Sequence, residues 1–321
     1  MPAFCTRFME RPRIWFLLFT AVSFTATFTL AHPTPSDAKA NRSSAVSESS
    51  PATRADYVVI NPVVNMHREP SLSSDVVSQA IYATNVTLLK AKHGWVNIKT
   101  ADEYTGWIQL SHLRKRNGQP YAATGSVVRV SQLSANIYRE PNVTKHAPLV
   151  TIPWESRLEV LPGKVENDDD WLKVLLPDGA PAFVQTGDVS SDFTPLTVDQ
   201  TIAAARKFLG ITYTWGGSSD FGFDCSGFTQ MLMRQRGIIM PRDADLQAAW
   251  SGVTPVQRQD LRPGDLLFFG DRADHITHTG MYIGNGEFIH DTTNEHPGVQ
   301  ISKLDDKPWT TLLVAARRAK S

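Results

Sequence analysis

From Ala55 to about Asp192 the apolar residues fall in short β-branched runs, each broken by Gly, Pro, Asn or Asp. Tyr57-Val58-Val59-Ile60, Val86-Thr87-Leu88-Leu89 and Trp95-Val96-Asn97-Ile98 are typical. No stretch of useful length carries a helical period, so this half reads as all-β, with strands at the spacing of small barrels. At Pro195 the pattern changes. Val198 to Leu209 predicts a helix with Ile202, Ala205 and Leu209 on one face, and Gly210 stands where a C-terminal cap belongs. A second helix is predicted from Cys225 to Arg236, with Phe228, Met231, Leu232 and Gln235 at helical spacing and Gly237 as its stop. Strand patterns follow at Asp265-Leu266-Leu267-Phe268-Phe269 and in two arms around Gly284-Asn285-Gly286. Helices first and an antiparallel sheet after them is an α+β order.

The β half also repeats itself. Asn65-Met66-His67-Arg68-Glu69-Pro70 returns as Asn136-Ile137-Tyr138-Arg139-Glu140-Pro141. Trp95-Val96-Asn97-Ile98 returns as Trp171-Leu172-Lys173-Val174, and Gly106-Trp107-Ile108 as Ala182-Phe183-Val184. The order of these landmarks resembles the bacterial SH3-like domain. The expected organisation is therefore two small all-β SH3-like barrels at 56–118 and 119–194, followed by an α+β domain at 195–321.

Ahead of these stand Arg7, Arg11 and Arg13, an apolar run from Ile14 to about Ala31, and the small residues Thr29 and Ala31 before His32. That is the layout of a secretory signal peptide at 1–31, so export to the periplasm, cell wall or medium is expected, with an uncleaved anchor as the alternative. Residues 32–55 are rich in Ser, Ala, Thr, Pro and Asn, nearly devoid of large apolar side chains, and read as a disordered linker. Formal net charge is +0, and no basic cluster alternates with aromatics, which argues against a nucleic-acid partner.

Cys5 leaves with the leader, so one cysteine remains, Cys225 in Phe223-Asp224-Cys225-Ser226-Gly227-Phe228. Exported proteins use thiols in pairs, so an unpaired one needs a reason. Against the reading of a small buried hydrophobe stands its place on the first turn of a helix, where free N–H groups and the helix dipole favour a thiolate. Those N–H groups can also receive an oxyanion, and the small Ser226 and Gly227 let a carbonyl approach. Two histidines follow, His278 and His290. With Gly284-Asn285-Gly286 as the hairpin loop, Ile283 pairs with Glu287 and Gly280 lies opposite His290. Alternation then sets both imidazoles on one face as diagonal neighbours, whereas a two-residue loop would flip one of them away. One cysteine and two histidines offer three zinc ligands, but the histidines lack the spacing of a helical metal motif, so neither metal nor organic cofactor is expected.

Six landmarks in order then carry a resemblance. They are Tyr213-x-Trp215-Gly216-Gly217, Asp224-Cys225-Ser226-Gly227-Phe228, Leu261-Arg262-Pro263-Gly264-Asp265-Leu266, His278-Thr279-Gly280-Met281-Tyr282, Ile283-Gly284-Asn285-Gly286 and Phe288-Ile289-His290. From about Thr197 to Ala319 the chain resembles the NlpC/p60 family of papain-like cysteine peptidases. With SH3-like domains in front, it looks like the subgroup of γ-D-glutamyl-L-diamino acid endopeptidases, which act on murein peptides with a free N-terminal L-alanine.

The resemblance implies Cys225 as nucleophile, His278 as general base and His290 as the residue that orients it. It implies Tyr213 as a second oxyanion donor, Asp224 as the carboxylate that meets the substrate's α-amino group, and Ser226 and Arg242 as lining of the substrate channel. Glu69 and Tyr104 would close one end of the site from the first SH3-like domain. The repeat weighs on these two unequally, because Glu140 repeats Glu69 whereas Tyr104 aligns with Ala180. Thr279 and Asp291 depart from the commonest family form, and Asp291 is placed to pair with one of the imidazoles. Two other readings stay open: a broader endopeptidase or amidase on polymeric wall, and a non-catalytic wall-binding protein.

Overall fold

The β-branched runs of the first half pair into two sheets in a computed structural model that describes residues 55–163, 165 and 169–320. The expected signal peptide and all of the expected linker except Ala55 lie outside the described residues. The first sheet has seven strands, ordered Val76–Ile81, Val63–His67, Thr105–Gln109, Trp95–Lys99, Asn85–Lys92, Tyr57–Val59, Leu113–Lys115. Ala80 and Leu113, from its two edges, share one core with Met66, Ile98 and Ile108, so the sheet curls on itself as a small barrel.

The second sheet, from Val127–Val130 to Val189–Ser190, has the same strand order, and in both copies a short 3-10 turn precedes the last strand. The correspondence reaches single contacts. His67 pairs with Trp107 and sets its ring edge-on to Trp95 at 5.5 Å, while Tyr138 pairs with Phe183 and stands edge-on to Trp171 at 5.4 Å. Tyr121 joins the copies: its N–H donates to Asn85, its hydroxyl to the Leu175 carbonyl, and its ring is buried in the second core.

The third part begins with α1 (Val198–Arg206), whose N-terminus is closed by a reciprocal Thr197–Gln200 capping box. The predicted face of α1 needs one correction. Leu209 lies past the helix end and is exposed, and Phe208 takes its place in the core. α2 (Cys225–Gln235) is buried along nearly its whole length, and α3 (Ala244–Ala249) is a short helix that the sequence pattern did not announce. Behind them lies a six-stranded sheet, ordered Val253–Pro255, Leu313–Ala319, Leu266–Arg272, His275–Gly284, Glu287–Thr292, Gly298–Lys303, with every pairing antiparallel.

α2 is also where the second β unit docks. Glu155 takes Arg234 in a two-pronged ion pair and accepts from Gln235. Trp154 packs edge-on against Phe208 at 5.3 Å, and its N–H donates to the buried Asp220 carboxylate at 2.9 Å. Burial pushes the Asp220 carboxyl up to about 7, from an ordinary 3.8. Between those values the folded chain holds a proton that the unfolded chain releases, so this residue's contribution to stability falls as pH rises through the window. Asp220→Asn keeps an acceptor for Trp154 and removes that loss. We expect it to stabilise by about 1–3 kcal/mol at pH 8 and by little at pH 4, read as Tm from thermal melts at the two pH values.

Candidate active site

Cys225 opens α2 as expected, and what fixes that first turn is Asp224. As N-cap residue it accepts from the Gly227 N–H at 2.7 Å, while its other oxygen accepts from the Gly216 N–H at 3.0 Å. A Cβ on Gly227 would collide with the Gly217 carbonyl, so the segment running from Tyr213 to Gly217 lies directly on the nucleophile's helix. Arg242 closes the arrangement. It is buried and grips Asp224 with both terminal nitrogens, at 2.9 and 2.7 Å. Its remaining donors go to Ser226, the Gly217 carbonyl, Ser218 and Ser78, the last from the first β unit. Burial opposes its charge, but the Asp224 carboxylate more than offsets this and holds the pKa above the usual arginine value.

The histidines come from the sheet, and the hairpin corrects the expected loop. Gly284 pairs with Glu287, leaving a two-residue turn, Asn285-Gly286, with φ of 54° and 75°. By itself that would flip one imidazole to the other face. A bulge at Ile283 restores the register, so Tyr282 pairs with Phe288 and Gly280 falls opposite His290 as expected. His278 Nε2 meets His290 Nδ1 at 2.7 Å, and His290 Nε2 meets Ser302 Oγ at 3.0 Å. Rings of Phe269, Phe288 and Trp309 enclose the pair, with Phe288–His290 and Trp309–His290 centroid distances of 4.4 and 4.7 Å. Those contacts commit His278 Nε2 and leave Nδ1 as its free nitrogen. A second bulge, where the register shifts between Phe269/His278 and Gly270/Ile276, lies just before His278 and sets its direction.

The nucleophile reaches this strand at the next residue. The Thr279 and Ser226 N–H groups both favour charge on the Cys225 sulfur, so the thiol lies by the strand that carries His278. Burial and then the Asp224 charge push the thiol up to about 12, outweighing those donors and Arg242. The helix terminus was expected to favour a thiolate. The cap carboxylate opposes it. Burial also pushes His278 down to about 4 and His290 well below its ordinary range. The resting pair is therefore a thiol beside a neutral imidazole.

Tyr213 stands in the same group, its phenol raised by burial and by the Cys225 and Asp224 charges beside it. Ser226 is buried, donating to Asp224 and accepting from Arg242. Tyr104 crosses from the first β unit and donates to Asp243, the residue after Arg242, at 3.2 Å. Glu69 sits exposed on the turn between Val63–His67 and Val76–Ile81, where its N–H donates to Ser74, and its carboxylate has no ion-pair partner among the described residues. Its copy Glu140 pairs with Lys145 and His146 in the matching turn. Asp291 pairs with neither imidazole, because alternation turns it to the opposite face. Sequence reasoning missed Ser302, Trp309 and Asp243, since no motif or period marks them.

Residues 66–113 match the bacterial dipeptidyl-peptidase SH3 domain, and residues 210–318 match the NlpC/P60 family. A Bacillus cereus protein named gamma-D-glutamyl-L-lysine dipeptidyl-peptidase is 31% identical over 256 residues, spanning 75% of this chain and 74% of that protein. The chain belongs to the NlpC/P60 family. A Bacillus subtilis protein of the same name is 30% identical over 77% of this chain and 82% of its own length. The crystal structure of an NlpC/P60 protein from Bacillus cereus superposes with a TM-score of 0.72 at 26% identity, covering 83% of this chain and 99% of that one.

As an NlpC/P60 peptidase site the geometry has a direct chemical use. In this geometry His278 Nδ1 can take the thiol proton as sulfur attacks a carbonyl carbon and return it to the leaving amine, after which water can hydrolyse the thioester. The oxyanion formed on the way can meet the Cys225 N–H at the helix terminus. His290, steadied by Ser302 and the aromatic rings, is placed to hold such a base in position. Ser302→Ala is expected to lower kcat about tenfold with KM little changed, the cost of one hydrogen bond in the relay, measured by steady-state kinetics. Gly280→Ala should cost more, because its Cβ would stand 2.9 Å from the His290 Cβ. The imidazole must be neutral to accept a proton, and burial keeps it so down to about pH 4. The acid limb of kcat/KM is thus expected well below the 6.5 of a solvated histidine.

Proposed function

We propose that the protein is an exported cysteine endopeptidase that cleaves the γ-D-glutamyl–L-diamino acid bond of short murein peptides bearing a free N-terminal L-alanine. The observation that carries this reading is the reach of the first β unit into the peptidase site. Tyr104 lies on Asp243, Ser78 on Arg242, and the Trp215 indole N–H on the Val76 carbonyl at 3.1 Å. A site walled at that end by a neighbouring domain suits the terminus of a small peptide better than the middle of a cross-linked strand. Its charge fits too. Asp224 and Asp243 set two carboxylates against the single Arg242 guanidinium, which favours an ammonium over the acylated nitrogen of intact wall. The names of the two Bacillus relatives support the bond and leave the diamino acid open, since lysine is that of their own names. In this reading Tyr213 and the Cys225 N–H receive the oxyanion, and Ser226 and Arg242 hold Asp224 in place.

Mass spectrometry of products from the mature protein tests this on L-Ala-γ-D-Glu-meso-diaminopimelate, its L-lysine counterpart and their N-acetylated twins, with Cys225→Ala as control. The expected result is cleavage of the free peptides only, lost in the control. Equal cleavage of the acetylated twins would keep the peptidase and remove amino-terminus recognition; cleavage of intact sacculi would point to the broader wall endopeptidase. Tyr104→Phe is expected to raise KM for the free peptide about tenfold, as loss of one polar contact at the closed end, with kcat nearly unchanged.

A further inference from the structure

The turn that carries Tyr104 has a second link to the peptidase domain, one step removed from the site. Within the turn the Thr100 N–H donates to the Tyr104 carbonyl and the Glu103 N–H to the Thr100 carbonyl, while Glu103 takes the left-handed conformation at φ 64°. Asp102 stands between them with its carboxylate divided between two donors. One oxygen accepts from the Thr100 hydroxyl inside the turn. The other accepts from the side-chain N–H of Gln230 on α2 at 2.8 Å, 128 positions away along the chain.

Gln230 is buried, and its amide nitrogen has a second acceptor, the Met240 carbonyl at 3.0 Å. Met240 leads directly into Pro241-Arg242-Asp243, and the Tyr104 hydroxyl donates to the carboxylate of that Asp243. One amide therefore ties both sides of the Tyr104–Asp243 contact, the turn through Asp102 and the acceptor segment through Met240. It does so from the helix that Cys225 opens. A bond from a buried amide to a carboxylate is a strong one, and it restrains the turn more than the exposed Lys99–Glu103 ion pair does.

The repeat shows that the turn itself forms without this link. In the second copy Asp178 and Ala180 stand where Asp102 and Tyr104 stand in the first. The same backbone bonds recur there, from the Leu176 N–H to the Ala180 carbonyl and from the Gly179 N–H to the Leu176 carbonyl. Asp178 turns inward and accepts from the Ala180 N–H at 2.9 Å. The aspartate that reaches across to the peptidase domain belongs to the copy that carries the tyrosine.

We propose that Asp102 is a positioning residue for the closed end of the site. Through Gln230 it fixes the Tyr104 hydroxyl against Asp243, and so sets the affinity for the substrate's amino terminus without touching the substrate. This rests on the reading that Tyr104 closes the site on a free peptide.

The test is KM and kcat on L-Ala-γ-D-Glu-meso-diaminopimelate for the unaltered protein, Asp102→Ala, Asp102→Asn, Gln230→Met, Tyr104→Phe and the double variant Asp102→Ala/Tyr104→Phe. Asp102→Ala is expected to raise KM about fivefold with kcat within about twofold of the unaltered value. Asparagine can accept from Gln230 and donate to the Thr100 hydroxyl, so Asp102→Asn should restore most of the loss. Gln230→Met removes the same bond from the helix side and should raise KM likewise. Because Asp102 acts through Tyr104, the double variant should show the KM of Tyr104→Phe, raised about tenfold, and not the product of the two effects. An unchanged KM in Asp102→Ala or Gln230→Met, or a fall in kcat alone, overturns the proposal. So does an Asp102→Ala effect that multiplies with that of Tyr104→Phe. An unchanged KM in Tyr104→Phe overturns instead the reading of Tyr104 on which it rests.

Discussion

The buried ion pair between Arg242 and Asp224 is the constraint on which the site depends. Its two hydrogen bonds, at 2.9 and 2.7 Å, are made where water cannot compensate either charge. Removing one partner from such a pair costs about 3–5 kcal/mol, because the other charge is left bare. Here the cost would spread. Asp224 caps the helix that carries Cys225, and Arg242 touches the Gly217 loop and Ser78 of the first β unit. One guanidinium thereby fixes the nucleophile's helix, the loop after Tyr213 and the neighbouring domain against each other. All five of its donors are used, which lysine could not reproduce.

That same cap makes the site electrostatically unusual. A helix N-terminus ordinarily favours a thiolate, yet the cap carboxylate and burial keep the Cys225 proton in place. The histidine pair is likewise walled by Phe269, Phe288 and Trp309 and held neutral, with His290 fully buried and His278 half-buried. A thiol and an imidazole that are both neutral at rest hold no separated charge before a substrate arrives. The buried aromatic walls thus serve reactivity as well as packing, since they exclude the water that would otherwise stabilise separated charges.

The two β units show how one fold is used twice. Strand order, the 3-10 turn and the edge-on ring contact are shared, while the surfaces turned to the peptidase domain differ. The first copy lends Val76, Ser78 and Tyr104 to the site. The second contributes Trp154 and Glu155, which seat it on α2 and the adjoining core away from the chemistry. Tyr104 has no counterpart in the second copy, where Ala180 stands, and Glu69 has one in Glu140.

Much of this was legible in the sequence, because it depends on spacing along the chain. The repeat, the helix beginning at Cys225, and the facing of His278 and His290 follow from period and turn chemistry, which act over a few residues. The loop was misjudged by one residue, and only the Ile283 bulge kept the facing right, a local event with no pattern to announce it. What the tertiary structure alone decided are contacts between residues distant in the chain. Tyr104 and Asp243 are 139 positions apart, Ser78 and Arg242 164. Ser302 and Trp309 join the histidines because the last strands fold back on them. The protonation of Cys225 belongs here too. It is set by burial and by the charge of Asp224, and burial exists only once α2 has packed against the sheet.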